Sequence, residues 1–233
     1  METRTWIREP GSTVSEKLGA SAGMWAVLWL VIHYLILRGT AADPKAPDGD
    51  FVRLLLAERM SWEWATALRV MGGIMIIWFM GSLASRLRLA EGEPGRLASI
   101  SFGIGVVWGA IWLVSAMFNS ASILLAADYQ FASASRLSAI LGRESVMILT
   151  PALVFTLALA VAFVGMRFGG FSKAYIYLTA ALTVVFLGLA IADWYGPGNL
   201  GGVIMAIAFA WTAFTSALLV PTYRPPDIVR GTR

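Results

Sequence analysis

The chain has 233 residues, of which 58% are hydrophobic and 14% are charged, with a formal net charge of +4 and a mean hydropathy of +0.72. A soluble domain has about 25% charged residues, whereas here the charges lie in clusters between long apolar runs, which is typical of a multi-pass membrane protein. Because there are no cysteines and only one histidine, His33, disulfides, thiolate metal sites, iron–sulfur clusters and a bis-histidine haem are excluded.

The net positive charge does not indicate a nucleic-acid partner. The basic residues lie beside apolar runs, where such residues set the orientation of spans and contact anionic lipid. We therefore expect membrane lipids as partners, together with other membrane subunits or a second copy of the chain. We predict no metal and no cofactor, although a bound lipid or quinone would be compatible with the sequence.

The first apolar run, 18–37, predicts a membrane-spanning helix after a polar N-terminal segment. A cleaved signal peptide is the alternative, because a basic start precedes the apolar run. The run is longer than the apolar region of a signal peptide, and the segment after it makes a weak cleavage site. We interpret it as a retained span.

The next two runs, 65–84 and 97–116, predict a helical hairpin. Each has the roughly 20 apolar residues that cover the ~30 Å hydrocarbon core of a bilayer. The link 85–96 contains three arginines and a Gly-Glu-Pro-Gly break. This composition predicts a tight, basic turn on the cytoplasmic side.

Three further spans are predicted at 144–166, 174–194 and 200–220, the first with a kink at Pro151. The whole chain, 1–233, is then a single all-α domain of six transmembrane helices. The two longer polar segments, 38–61 and 119–142, predict outer loops. Each includes a stretch typical of a short surface helix, at 51–60 and 133–141.

The distribution of basic residues orients these spans. The N-terminal tail, the 85–96 link, the 167–173 turn and the C-terminal tail hold nearly twice as many Lys and Arg residues as the other connections. The positive-inside rule therefore places both termini in the cytoplasm.

Small residues recur at helical spacing, which permits close approach of helix backbones in lipid. They predict a helix-packing interface, formed either inside the bundle or with a partner chain. The residues are Gly19 and Gly23 in the first span, Ser101, Gly105 and Gly109 in the third, and Ala206, Ala210, Ala213 and Ala217 in the sixth.

Three tryptophans, Trp78, Trp108 and Trp112, lie deep in the second and third spans. They could line a groove for a pigment, quinone or lipid. Alternatively, they fill space between helices.

Polar residues at membrane depth are the candidate site. Arg69 and His33 lie within spans, and Asn119, Glu144 and Asp193 lie at the predicted outer ends of spans. An ionisable residue within a span is costly and indicates a functional site. We predict an outward-facing polar pocket in which Arg69 pairs with Glu144 or Asp193. The alternative is that Arg69 extends to the headgroups along its aliphatic stem, and that His33 is a hydrogen-bonded packing residue.

The hairpin also carries a family resemblance, in the run FMGSLASRLRLAEGEPGRLA at 79–98. This run resembles the second cytoplasmic hairpin of a family of uncharacterised six-span proteins, mainly from high-GC actinobacteria, which are similar to DUF4386-type membrane proteins. The resemblance implies a location in the bacterial plasma membrane. It contributes no catalytic residues.

Three functions are consistent with these features. The leading hypothesis is a non-catalytic accessory or small-ligand-binding subunit of a larger membrane assembly. The second is a small transporter or channel-like protein using Arg69, Glu144 and Asp193. The third is a membrane enzyme acting on a lipid, for which the sequence offers no nucleophile–base pair.

Overall fold

The structure, a computed structural model, describes residues 14–40, 46–128, 131–195 and 200–220, with side chains from residue 17 onward except at 190 and 193–195. All regular structure within these ranges is α-helical. The helices are α1 (Val14–Arg38), α2 (Asp48–Ala57), α3 (Arg59–Glu91), α4 (Arg96–Ala127), α5 (Ala132–Phe168), α6 (Lys173–Tyr195) and α7 (Gly201–Leu219).

Five of the described helices, α1, α3, α4, α5 and α7, are long and apolar enough to cross a membrane. In α6, which runs to Tyr195, the continuous stretch with described side chains, Lys173–Leu189, is apolar and shorter than this. For the described residues, the prediction of an all-α protein with several helices able to cross a membrane is thus confirmed.

The packing order places α3 at the centre of the bundle. It lies between α1 and α4, while α5 packs on α4, α6 on α5 and α7 on α1. Glycines allow the closest approach: a Cβ on Gly109 of α4 would lie 2.8 Å from the backbone oxygen of Gly73 in α3. At this crossing only a residue without a side chain fits.

The predicted link 85–96 is shorter in the structure, since α3 continues to Glu91 and α4 begins at Arg96. The turn occupies only 92–95, where Gly95 adopts a left-handed φ of 61°. The Glu91 carboxylate accepts hydrogen bonds from the backbone N–H groups of Leu97 at 3.1 Å and Ala98 at 3.0 Å. A carboxylate in this position satisfies otherwise unpaired N–H groups and complements the helix dipole. The hairpin therefore closes in four residues.

The predicted loop at 119–142 is wrong, because α4 continues to Ala127 and α5 begins at Ala132. The predicted separate helix at 133–141 forms the first turns of α5. The serines that make this stretch look polar are bonded between the two helices: Ser135 Oγ donates to the Ser122 carbonyl at 2.7 Å, and Ser138 Oγ to that of Phe118 at 2.8 Å. Their polarity serves helix packing.

The predicted surface helix at 51–60 corresponds to α2, which begins three residues earlier and is separated from α3 by Glu58 alone. It is docked on the bundle, since Phe51 and Leu55 are fully buried. Asp48 of α2 also forms an ion pair with Arg136 of α5 at 3.0 Å. Because α2 packs against α3, α4 and α5, it covers one end of the bundle.

Candidate functional site

A polar cluster lies inside the bundle, where α1, α3, α4 and α5 meet. Its side chains are Arg69 of α3, His33 of α1 and Ser115 of α4, which are 6%, 4% and 0% exposed. Arg69 is ten residues into α3, or about 15 Å from the start of that helix at ~1.5 Å per residue. The cluster is therefore below the surface and nearer to the end that α2 covers.

Arg69 is held by two neutral side chains. Its Nε and Nη2 approach His33 Nε2 at 3.2 and 2.7 Å. Its Nη1 donates to Ser115 Oγ at 2.5 Å and to the Ser115 carbonyl at 3.3 Å. Since a guanidinium has five N–H groups, one hydrogen on Nη2 is not assigned to any acceptor among the described residues.

His33 is fixed as a neutral acceptor. Its Nδ1 lies 2.7 Å from the carbonyl oxygen of Ala65, and because a carbonyl can only accept, Nδ1 carries the hydrogen. The unprotonated Nε2 is then the acceptor for Arg69. Both ring nitrogens are thus occupied.

Ser115 connects the cluster to α5. Its hydroxyl accepts from Arg69 and donates to the carbonyl of Gly142. A Cβ at Gly142 would lie 3.0 Å from Asn119 Oδ1 and 3.1 Å from the Ser115 carbonyl oxygen. The absence of a side chain at Gly142 lets α5 approach α4 closely enough for this hydrogen bond.

An aromatic wall bounds the cluster. The Trp112 ring centroid lies 5.9 Å from Arg69 Cζ, at the distance of a cation–π contact. The same ring meets His33 edge-on at 6.3 Å and Phe209 of α7 at 6.1 Å. This wall gives the cation an apolar, low-dielectric surrounding.

The described side chains do not balance the charge of the cluster. Among them, no carboxylate lies within ion-pair distance of Arg69. Two further donors nearby, Trp112 Nε1 and Asn119 Nδ2, are buried and have no acceptor in the part of the chain that the structure describes. The site therefore combines a positive charge with an excess of hydrogen-bond donors.

The structure brings together some of the predicted site residues. Arg69 and His33 are in direct contact, and Asn119 lies one turn beyond Ser115 on the buried face of α4. The guanidinium is bonded inside the bundle, so it does not extend to the headgroups. Glu144 does not approach it: its side chain is 48% exposed and lies 3.8 Å from Arg143. The Asp193 side chain is outside the described residues.

Two residues of the cluster, Ser115 and Gly142, were not predicted from the sequence as site residues. Serine and glycine are common in spans, so neither is unusual by itself. The spacing of Trp112, Ser115 and Asn119, at i, i+3 and i+7, would place all three on one helix face. That pattern was the available signal.

The predicted packing residues of the first and third spans are buried inside the bundle. A Cβ at Gly23 would lie 2.8 Å from both Phe79 and Ser216. A Cβ at Gly19 would meet Ser82, one at Gly105 would meet Met80, and one at Gly109 would meet Ile77. Ser101 is fully buried, whereas Ala206, Ala210 and Ala217 of α7 are exposed.

The three deep tryptophans have different surroundings. Trp108 and Trp112 are buried, and Trp78 is 43% exposed on the outer surface of the bundle. Only Trp112 borders the Arg69 cluster. In the described part of the chain, no group of three His, Asp or Glu side chains is arranged to hold a metal ion.

Comparisons with protein-family models, with curated proteins and with solved structures find no match. The resemblance of the 79–98 run to DUF4386-type proteins therefore stays a prediction.

Proposed function

We propose that this protein is a non-catalytic, small-ligand-binding membrane protein whose ligand is a small anion bound at Arg69. The observation that carries the proposal is the buried guanidinium with neutral partners, His33 and Ser115. An arginine inside a span costs about 2.5–3.5 kcal/mol on insertion scales. A negatively charged ligand offsets this cost by supplying the missing counter-charge.

The donor excess indicates the chemistry of the ligand. The remaining N–H of Arg69 and the unpaired donors of Trp112 and Asn119 require acceptor oxygens. A small carboxylate or another small oxyanion provides both acceptor oxygens and negative charge. Since the cluster is enclosed by packed side chains, we expect a ligand of a few heavy atoms.

The hydrogen bonds of His33 argue for binding rather than catalysis. A general base needs a nitrogen that can take a proton from the substrate. Here one ring nitrogen donates to Ala65 and the other accepts from Arg69. The lipid enzyme is accordingly the weakest of the three functions.

A transporter for the same anion is the second candidate, favoured by the position of Arg69 inside the bundle rather than at its surface. Uptake of the anion into sealed vesicles that contain the purified protein separates this function from binding alone. As an accessory subunit, by contrast, the protein would be recovered from its host membrane in a fixed ratio to other subunits.

For the membrane topology we propose six spans, with both termini in the cytoplasm of a bacterium. The support is the unequal charge at the two ends of the bundle. Gly170 lies against Ala90, so the α5–α6 turn and the α3–α4 turn are at the same end. That end carries the basic residues Lys17, Arg86, Arg88, Arg96, Arg167 and Lys173. At the α2 end, basic residues are interspersed with acidic ones, including the pairs Arg59–Glu63 and Arg136–Asp48.

The binding proposal is tested by thermal unfolding of the purified protein with formate, acetate or nitrate at constant ionic strength. A ligand at 100 times its Kd stabilises the folded state by about 2.7 kcal/mol. We expect at least one of these anions to raise the Tm of the wild type and of Arg59→Gln, an exposed arginine of the same helix. Arg69→Gln should lose the effect.

An equal rise in Arg69→Gln, or no rise in the wild type with any anion, would contradict the proposal. If Arg69→Gln does not fold, Arg69→Lys serves instead. It keeps the charge and loses the planar donor array, so the anion response should be weakened and its anion preference changed.

A further inference from the structure

Buried polar atoms without a partner are arranged in a row in this bundle. Among the described residues, six buried side-chain nitrogen or oxygen atoms have no hydrogen-bond partner. They belong to Trp62, Ser101, Trp108, Trp112, Asn119 and Thr150. Such groups in native proteins are normally satisfied by protein or by ordered water, so six of them need an explanation.

Four of the six lie along one face of α4. Ser101, Trp108, Trp112 and Asn119 are separated by seven, four and seven residues, which are the spacings that repeat on one side of an α-helix. At ~1.5 Å per residue, the row extends over about 27 Å. It is therefore nearly as long as the hydrocarbon core of a bilayer is thick.

The other two atoms belong to neighbouring helices, at levels beside this row or at its end. Ser115 lies opposite Gly142, and Ser122 opposite Ser135, so α4 and α5 are antiparallel. The same register places Thr150 level with Trp108. In α3, Arg69 lies opposite Ser115, which places Trp62 close to the level of Ser122.

A backbone acceptor lies at the level of the middle of this row. Pro151 has no N–H to donate to the carbonyl of Met147, one turn earlier in α5. By the register of α4 and α5, this carbonyl lies between the levels of Trp108 and Trp112. These levels thus hold donors, an acceptor and the hydroxyls of Ser101 and Thr150, which can both donate and accept.

We propose that these groups bind a row of internal water molecules that runs along α4 past Arg69. Water fits the whole set because one molecule both donates and accepts, and buried waters make about three hydrogen bonds to otherwise unpaired groups. A lipid chain offers no such bonds. An anion could accept hydrogen bonds from the donors beside Arg69. It would not be stabilised beside Trp108 and Ser101, which are uncharged.

The row would connect the Arg69 cluster with the basic end of the bundle, because Ser101 is five residues from the start of α4. The interior of the protein would then contain a hydrated path through the apolar part of the membrane. This inference does not depend on anion binding, since the water row is expected in the ligand-free protein.

The test is water exchange at indole N–H groups, measured by NMR on the ¹⁵N-labelled wild-type protein in lipid nanodiscs and assigned through bonds. We expect Trp108, which is 1% exposed, to show magnetisation transfer from water. The matched control is Trp211, which is 2% exposed and whose Nε1 donates to Thr179 Oγ1 at 3.4 Å. Trp211 should show none.

If Trp108 is as protected from water as Trp211, the inference is overturned. A second measurement uses Thr150→Val, which keeps the shape of the side chain and removes the hydroxyl. With water bound at this level, the substitution lowers the transfer at Trp108 and leaves that at Trp62 unchanged. A dry, unpaired hydroxyl would instead give a more stable variant with no change at Trp108.

Discussion

Arg69 is a buried cation whose partners among the described side chains are all neutral. Its hydrogen bonds to His33 and Ser115 fix the orientation of the guanidinium, and its contact with the Trp112 ring supplies some negative potential. None of these partners carries a formal negative charge. The anion that we propose would supply a counter-charge at this position, where an unpaired buried cation is costly.

His33 holds this arrangement together, and its replacement gives a test at the level of one residue. In His33→Phe, Nε and Nη2 of Arg69 lose their acceptor in an apolar surrounding. We expect the free energy of unfolding to fall by about 1–3 kcal/mol, the cost of leaving buried donors unpaired. The measurement is reversible unfolding in mixed micelles.

The control for this variant is Tyr34→Phe, since Tyr34 is the next residue and is 48% exposed. Its free energy of unfolding should change by no more than about 0.5 kcal/mol. A similar fall in the free energy of unfolding of both variants would show that the contact of His33 with Arg69 does not stabilise the fold.

The sequence indicated Arg69 and His33 because an ionisable residue within an apolar run is conspicuous by itself. It did not indicate the acceptor Ser115, because a serine in a span has many other uses. The predicted pairing with Glu144 failed for a geometric reason. That residue is on an exposed face of α5, and apolar periodicity alone could not assign the face in a helix that also contains buried serines.

Among the elements, the α3–α4 pair depends on backbone contact. Gly109 and Gly73 approach so closely that a Cβ at Gly109 would lie 2.8 Å from a backbone oxygen. Backbone atoms cannot move aside as a flexible side chain can. The two helices must therefore separate to accommodate any side chain at this position.

Gly109→Ala is accordingly expected to destabilise the protein by about 1–3 kcal/mol, the range for overpacking a well-filled interior. Gly103→Ala is the matched control in the same helix, because a Cβ at that position meets no atom within 4 Å. It should be neutral, or stabilising by about 0.5–1 kcal/mol through helix propensity. Unfolding in mixed micelles measures the stability of both variants. Equal changes in the free energy of unfolding would refute the close approach of the two helices.

The existence of the long helices and the position of the α3–α4 turn followed from hydropathy and from the Gly-Glu-Pro-Gly break. The C-terminal end of α4 and the N-terminal end of α5 did not follow from hydropathy. Hydropathy assigns serine-rich stretches to loops, whereas Ser122, Ser135 and Ser138 bond between helices at the end of the bundle. The docking of α2 was also missed, since burial of Phe51 and Leu55 depends on contacts distant in sequence.

On the scale of the whole molecule, the two ends of the bundle differ in charge, and the proposed orientation follows from this difference. Because the chain has no cysteine, single cysteines can report the side of the membrane. Arg53→Cys in α2 and Glu93→Cys in the α3–α4 turn are both at exposed positions. Labelling uses a maleimide that does not cross membranes.

We expect Arg53→Cys to be labelled in intact cells and Glu93→Cys only after the membrane is permeabilised. The reverse pattern would show that the α2 end faces the cytoplasm. Labelling of both positions in intact cells would mean that the hairpin does not cross the membrane as proposed.

Binding of a small anion at Arg69 is tested by a distance between the two. Solid-state NMR with ¹⁵N-arginine-labelled protein and ¹³C-formate detects dipolar coupling between a guanidinium nitrogen and the formate carbon. We expect a contact of about 4 Å, the separation in a hydrogen-bonded guanidinium–carboxylate pair. The contact should be absent in Arg69→Gln and present in Arg59→Gln. Saturating formate without such a contact in the wild type, or with the same contact in Arg69→Gln, would contradict binding at Arg69.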